Sequence, residues 1–98
     1  MLAKKRPIIT APTTPEVLIF TGPACAYCRV AKQLLDQKQV AYTEIDISTD
    51  PQQREAMMEQ SGGRKTVPQI FINGQHIGGA DDLRALESAG KLDALLAC

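Results

Sequence analysis

Apolar positions along the chain switch between short unbroken runs and a helical repeat. Val17-Leu18-Ile19-Phe20 is entirely apolar, rich in β-formers and closed by Gly22-Pro23. That is the pattern of a central strand buried on both faces. From about Cys25 to Gln37, Val30, Ala31, Leu34 and Leu35 recur at helical spacing, while Arg29, Lys32, Gln33 and Asp36 fill the other side; a helix therefore follows directly. Val40 to Ile47 alternates and is β-branched, which predicts a second strand. Asp50-Pro51 opens a second helix, with Asp50 as N-cap, Pro51 in the first helical position and Met57 and Met58 as core packing. Ser61-Gly62-Gly63 ends it. Gln69 to Ile72 and Gln75 to Ile77 flank Asn73-Gly74, a strong hairpin signal. Asp81 or Asp82 can cap a helix carrying Leu83 and Leu86, and Gly90 separates it from a last amphipathic segment, Lys91 to Ala97.

The element order is then βαβαββαα. A leading βαβ unit demands a parallel crossover and the later hairpin demands antiparallel pairing, so the sheet is mixed. Four strands flanked by helices on both faces make an α/β fold of the thioredoxin-like type. Met1 to Pro15 holds three prolines and little periodic pattern, and is expected to be a flexible tail, leaving residues 16–98 as one domain.

Charge narrows the partners. Eleven basic and eleven acidic side chains cancel, so there is no electrostatic footprint for nucleic acid and no polybasic membrane patch. No apolar run approaches the roughly 20 residues of a membrane span, and Lys4-Lys5-Arg6 is followed only by Ile8-Ile9 rather than by a signal-type core. The expected location is cytoplasmic. In a reducing compartment a close cysteine pair is more often catalytic or metal-binding than structural, which draws attention to Cys25 and Cys28 among the three cysteines.

Cys25-Ala26-Tyr27-Cys28 lies where the first strand hands over to the first helix. Free N–H groups and the helix dipole at that end favour a thiolate on Cys25. Cys28 lies about one turn inside, within reach of a mixed disulfide on Cys25, so Cys25 is the candidate nucleophile and Cys28 the resolving thiol. Taken alone, this spacing also fits half of a zinc site or two core cysteines. A structural zinc site wants four ligands, however, and beyond the pair only Cys98 and His76 are on offer; no metal site is expected.

Three stretches, Ile19-Phe20-Thr21, Thr66-Val67-Pro68-Gln69-Ile70-Phe71-Ile72 and His76-Ile77-Gly78-Gly79-Ala80-Asp81-Asp82-Leu83, resemble the glutaredoxin family in order and spacing. The resemblance runs from about Glu16 onward. It implies glutathione as co-substrate and a binding site formed by Tyr27, Arg54, Thr66, Val67, Pro68, Gly79, Ala80 and Asp81. By this resemblance Pro68 is cis and faces Cys25, and Val67 pairs its N–H and C=O with the cysteinyl residue of glutathione, a one-residue strand addition. Gly78-Gly79 permits close approach, the helix start at Ala80-Asp81-Asp82 offers N–H groups to the γ-glutamyl carboxylate, and Asp81 meets its ammonium group. Arg54 falls where the glycine carboxylate is bound, and Tyr27 covers the sulfur. Capping alone is the alternative for Asp81 and Asp82.

The chain departs from the family pattern at several points. Ala26 stands where dithiol members have proline, Gly22 replaces a lysine, and Ala80 replaces a common cysteine. Weaker glutathione binding is expected from the lost lysine. Cys98 is expected to be a bystander, and His76 to be structural or solvated. The implied activity is a glutathione-disulfide oxidoreductase acting on glutathionylated and disulfide-containing proteins, regenerated through glutathione reductase and NADPH, and monomeric. The alternative is a dimer holding a [2Fe-2S] cluster on Cys25 and a glutathione from each subunit. Reduction by a flavoenzyme, as in thioredoxins, is weakened by the absence of tryptophan.

Overall fold

The computed structural model describes residues 15–97. Cys98 and residues 1–14 of the expected tail lie outside the described residues. The elements run β1 (Val17–Thr21), α1 (Ala26–Gln37), β2 (Thr43–Asp46), α2 (Pro51–Gln60), β3 (Gln69–Ile72), β4 (Gln75–Gly78), α3 (Ala80–Ser88) and α4 (Leu92–Leu96). The sheet order is β2-β1-β3-β4, with β1 parallel to β2 and antiparallel to β3, and β3 antiparallel to β4. This is the four-stranded mixed sheet that the sequence predicts, with β1 inside it.

Alternation along the two inner strands builds a core on each face. Val17, Ile19, Ile70 and Ile72 point to one side, where they bury Ala31 and Leu35 of α1, Leu83 of α3 and Leu92 of α4. Phe20 and Phe71 point to the other, where Met57 of α2 covers them. The two rings meet edge to face, with centroids 5.8 Å apart. Met58 packs at the margin of this second cluster. Lys38, just past α1, reaches Glu87 at 2.7 Å and Asp93 at 2.8 Å, so α1 is tied to α3 and α4 at that end.

Local chemistry sets the boundaries. Asp50 caps α2 by accepting the Gln52 N–H at 2.9 Å. Asn73 and Gly74 take φ of +52° and +81°, as the hairpin turn requires. Asn73 also accepts from and donates to Glu16, which fastens the turn to the start of β1. Two expectations are corrected. The second strand covers only Thr43–Asp46 rather than Val40–Ile47, because Gln39 enters the left-handed region and Val40 N–H turns back to the Leu35 carbonyl to close α1. Helix α3 is N-capped by Gly79, not by Asp81 or Asp82; Asp82 serves from inside the first turn, accepting the Gly79 N–H at 2.9 Å. No helix among the described residues is long and apolar enough to cross a membrane.

Candidate active site

The chain leaves β1 through Gly22-Pro23-Ala24, with Ala24 in the left-handed region at φ +54°, and enters α1 with Cys25 as the N-cap residue. A sulfur thus occupies the place where an oxygen normally caps a helix. Cys25 Sγ accepts the Cys28 N–H at 3.1 Å, and the positive end of a 12-residue helix lies behind it. Both effects stabilise a thiolate there, and neither needs a cationic side chain. The Cys25 and Cys28 sulfurs are paired, with Cα atoms 5.2 Å apart. Cys25 is half-buried, whereas Cys28 is 3% exposed, so outside partners reach Cys25 first.

Opposite the cysteines the chain enters β3 through Thr66-Val67-Pro68, where the Val67–Pro68 peptide is cis. The Val67 carbonyl oxygen lies 3.8 Å from Cys25 Sγ. Among the described residues Val67 N–H has no main-chain hydrogen-bond partner, and its carbonyl meets Cys25 Sγ rather than another main-chain group. A cleft of about 470 Å³ opens beside this loop, lined by Tyr27, Arg64, Thr66, Val67, Pro68, Gly79, Ala80, Asp81 and Asp82. Its far wall is the start of α3, whose first-turn N–H groups have no carbonyl one turn earlier to bond. Hollows of about 510 and 560 Å³ lie elsewhere, on α2 and at the Glu16 end of the sheet, away from the sulfurs.

The glutaredoxin family model matches residues 17–77. The chain belongs to the glutaredoxin family. It is 52% identical over 81 residues to Glutaredoxin 3 of Escherichia coli (strain K12), an overlap covering 83% of this chain and 96% of that protein. The solution structure of glutaredoxin from Brucella melitensis superposes with a TM-score of 0.77 at 50% identity, covering 90% of this chain and 95% of that one. The crystal structure of the buckwheat glutaredoxin-glutathione complex superposes with a TM-score of 0.75 at 32% identity, covering 82% and 74%. A glutaredoxin with Cys25 and Cys28 at disulfide distance is a thiol-disulfide oxidoreductase.

Of the expected site residues, Tyr27, Thr66, Val67, Pro68, Gly79, Ala80 and Asp81 meet around this one cleft, beside the cysteines. Tyr27 stands out at 61% exposure, an aromatic surface lining the cleft. Arg54 does not join them. It is an exposed side chain one turn into α2 and is not among the residues that line the cleft, whereas Arg64, just after Ser61-Gly62-Gly63, is. Arg64 is the cleft residue that sequence reasoning missed; it lies 3.8 Å from Asp82, both side chains about half exposed. A signal for Arg64 was present in its position two residues before Thr66. His76 is half-buried and its ring nitrogen lies 2.7 Å from Gln69 Oε1. Burial holds its pKa below the ordinary histidine range, with Arg64 adding to the effect and Asp82 opposing it. Among the described residues no group of three or more His, Cys, Asp or Glu side chains is arranged to hold a metal ion.

Proposed function

We propose that this chain reduces glutathione mixed disulfides with glutathione as reductant, and protein disulfides through the Cys25-Cys28 pair. The observation that carries this reading is the cleft beside Cys25, with Val67 and its unpartnered N–H on one wall and the start of α3 on the other. Val67 would pair with the cysteinyl residue of glutathione, and the Ala80 and Asp81 N–H groups would take the γ-glutamyl carboxylate. Asp81 would meet the ammonium group and Arg64 the glycine carboxylate, with Thr66, Pro68 and Gly79 as walls and Tyr27 over the sulfur. That the buckwheat relative was crystallised as a glutathione complex supports glutathione as the ligand.

In the monothiol route the Cys25 thiolate attacks the glutathione sulfur of a protein mixed disulfide. A Cys25–glutathione disulfide forms, and the protein leaves as a thiolate that takes a proton from water. A second glutathione thiolate then attacks the glutathione sulfur on Cys25, releasing oxidised glutathione and restoring the Cys25 thiolate. Oxidised glutathione returns through glutathione reductase and NADPH. In the dithiol route Cys25 attacks a protein disulfide and Cys28 displaces the product, leaving the Cys25-Cys28 disulfide for two glutathiones to reduce.

The test is turnover of a small glutathione mixed disulfide with glutathione, glutathione reductase and NADPH, comparing wild type with Cys25→Ser and Cys28→Ser. Activity in wild type and Cys28→Ser but not in Cys25→Ser is expected. An inactive wild type overturns the reading, and a brown, anaerobically purified protein would then point to a cluster. Cys25 is the one accessible sulfur of the pair, so a [2Fe-2S] centre with four thiolates would draw three of them from outside one chain's pair.

A further inference from the structure

Gln69 is a polar side chain with no exposed surface, set in an otherwise apolar strand. Such a group persists where its hydrogen bonds are met, and here they lead to the catalytic loop. Gln69 Nε2 donates to the Thr66 carbonyl at 3.0 Å and contacts Thr66 Oγ1 at 3.4 Å. A carbonyl can only accept, so the amide is oriented with its nitrogen toward Thr66 and Oε1 toward His76. His76 Nε2, 2.7 Å away, must then be the donor, which fixes the ring as the Nε2–H tautomer. The ring is held in turn against Phe71, with centroids 4.9 Å apart.

We infer that Gln69 and His76 are positioning residues that aim the Val67 N–H at the glutathionyl group. The reason is the planarity of the peptide. Thr66 C=O and Val67 N–H are opposite ends of one trans unit, so a hydrogen bond that fixes the carbonyl also fixes the direction of the N–H. Gln69 grips the first from within the sheet, and the second belongs to Val67, a residue that lines the cleft and whose N–H has no main-chain partner among the described residues. His76 locks Gln69 in the one orientation that can do this. The ionised ring would donate to Gln69 as well, so protonation of His76 does not break the relay. The inference rests on the glutathione reading above and extends it to two side chains that do not line the cleft.

The experiment compares wild type with His76→Phe, which keeps a ring on Phe71 but removes the donor, and Gln69→Met, which keeps the bulk but removes the amide. The kcat/KM for a small glutathione mixed disulfide is expected to fall about fivefold in each, the size of one lost neutral hydrogen bond. Alkylation of Cys25 by iodoacetamide, which uses no glutathione contact, should stay within about twofold of wild type by the same reasoning. The Val67 amide NMR resonance should move in both variants, and the ¹⁵N shifts of wild-type His76 should report the Nε2–H tautomer. An Nδ1–H tautomer, or an unmoved Val67 amide with unchanged kcat/KM in His76→Phe, overturns the inference even if Gln69→Met does not fold. If wild type shows no glutathione turnover, the proposed function falls, while the tautomer and the Val67 amide still decide whether the relay holds the loop.

Discussion

A single methyl group at Gly78 would disturb the start of α3, and the amount can be worked from its surroundings. Gly78 adopts φ +123°, where L-residues are rarely found, and a Cβ there would come within 2.7 Å of Asp82 Cγ. Gly78→Ala therefore imposes backbone strain of about 1–3 kcal/mol and pushes the Asp82 carboxylate off the Gly79 N–H that it accepts at 2.9 Å. Losing that cap costs about 1 kcal/mol, so the total is about 3 kcal/mol, a large share of a small domain's stability. Asp82→Ala alone loses the cap and little else, since its pairing with Arg64 at 3.8 Å is half exposed. The double variant has already lost the cap and no longer has the carboxylate to collide with. It should be destabilised by about 3 kcal/mol rather than the sum of about 4, a coupling of about 1 kcal/mol in the cycle. Urea unfolding of the four proteins measures this, provided the slopes agree. Strict additivity, or a Gly78→Ala variant within about 0.5 kcal/mol of wild type, would refute the reasoning.

Leu83→Ala empties a fully buried site between α3 and the sheet and should cost about 2–5 kcal/mol by urea unfolding; a loss below about 1 would mean that the core refills the space. Asp50→Ala removes the cap on α2 and should cost about 1 kcal/mol, restored largely by Asp50→Ser. The Glu44 carboxyl is held below the ordinary range, first by the Thr21 hydroxyl at 2.8 Å and then by Lys32 at 3.0 Å; Thr21→Val should move its NMR titration upward, and an unmoved midpoint counts against that cause. His76 has a folded pKa below its unfolded value, so its contribution to stability is full above about pH 6.5 and is lost as pH falls through the folded pKa. His76→Gln should flatten the stability profile below about pH 6.5, and an unchanged slope there would assign that loss to other groups.

What was legible in the sequence is what local pattern decides. Ile19 and Phe20, Ala31 and Leu35, and Asn73-Gly74 specify strand, helix and turn from their neighbours alone, and the structure places them accordingly. Cys25 and Cys28 belong to the same class, because a helix start fixes their relation within a few residues. The misread features depend on where the chain comes back. Val40 packs on the core while its N–H closes α1, so an apolar, β-branched residue lies outside its strand. Gly79, lacking a side chain, could not be recognised as a cap, because the bond is supplied in reverse by Asp82. Arg64 reaches the cleft only because Gly62 and Gly63 take left-handed φ and turn the chain back. The Gln69–His76 contact occupies a middle ground. Drawing the Asn73-Gly74 hairpin in register sets His76 opposite Phe71, and Gln69 lies two residues from Phe71 on the same face. A buried glutamine and the chain's one histidine could therefore have been paired from the sequence. What the sequence could not supply is the direction of the bond, since only the Thr66 carbonyl determines which end of the amide faces the ring.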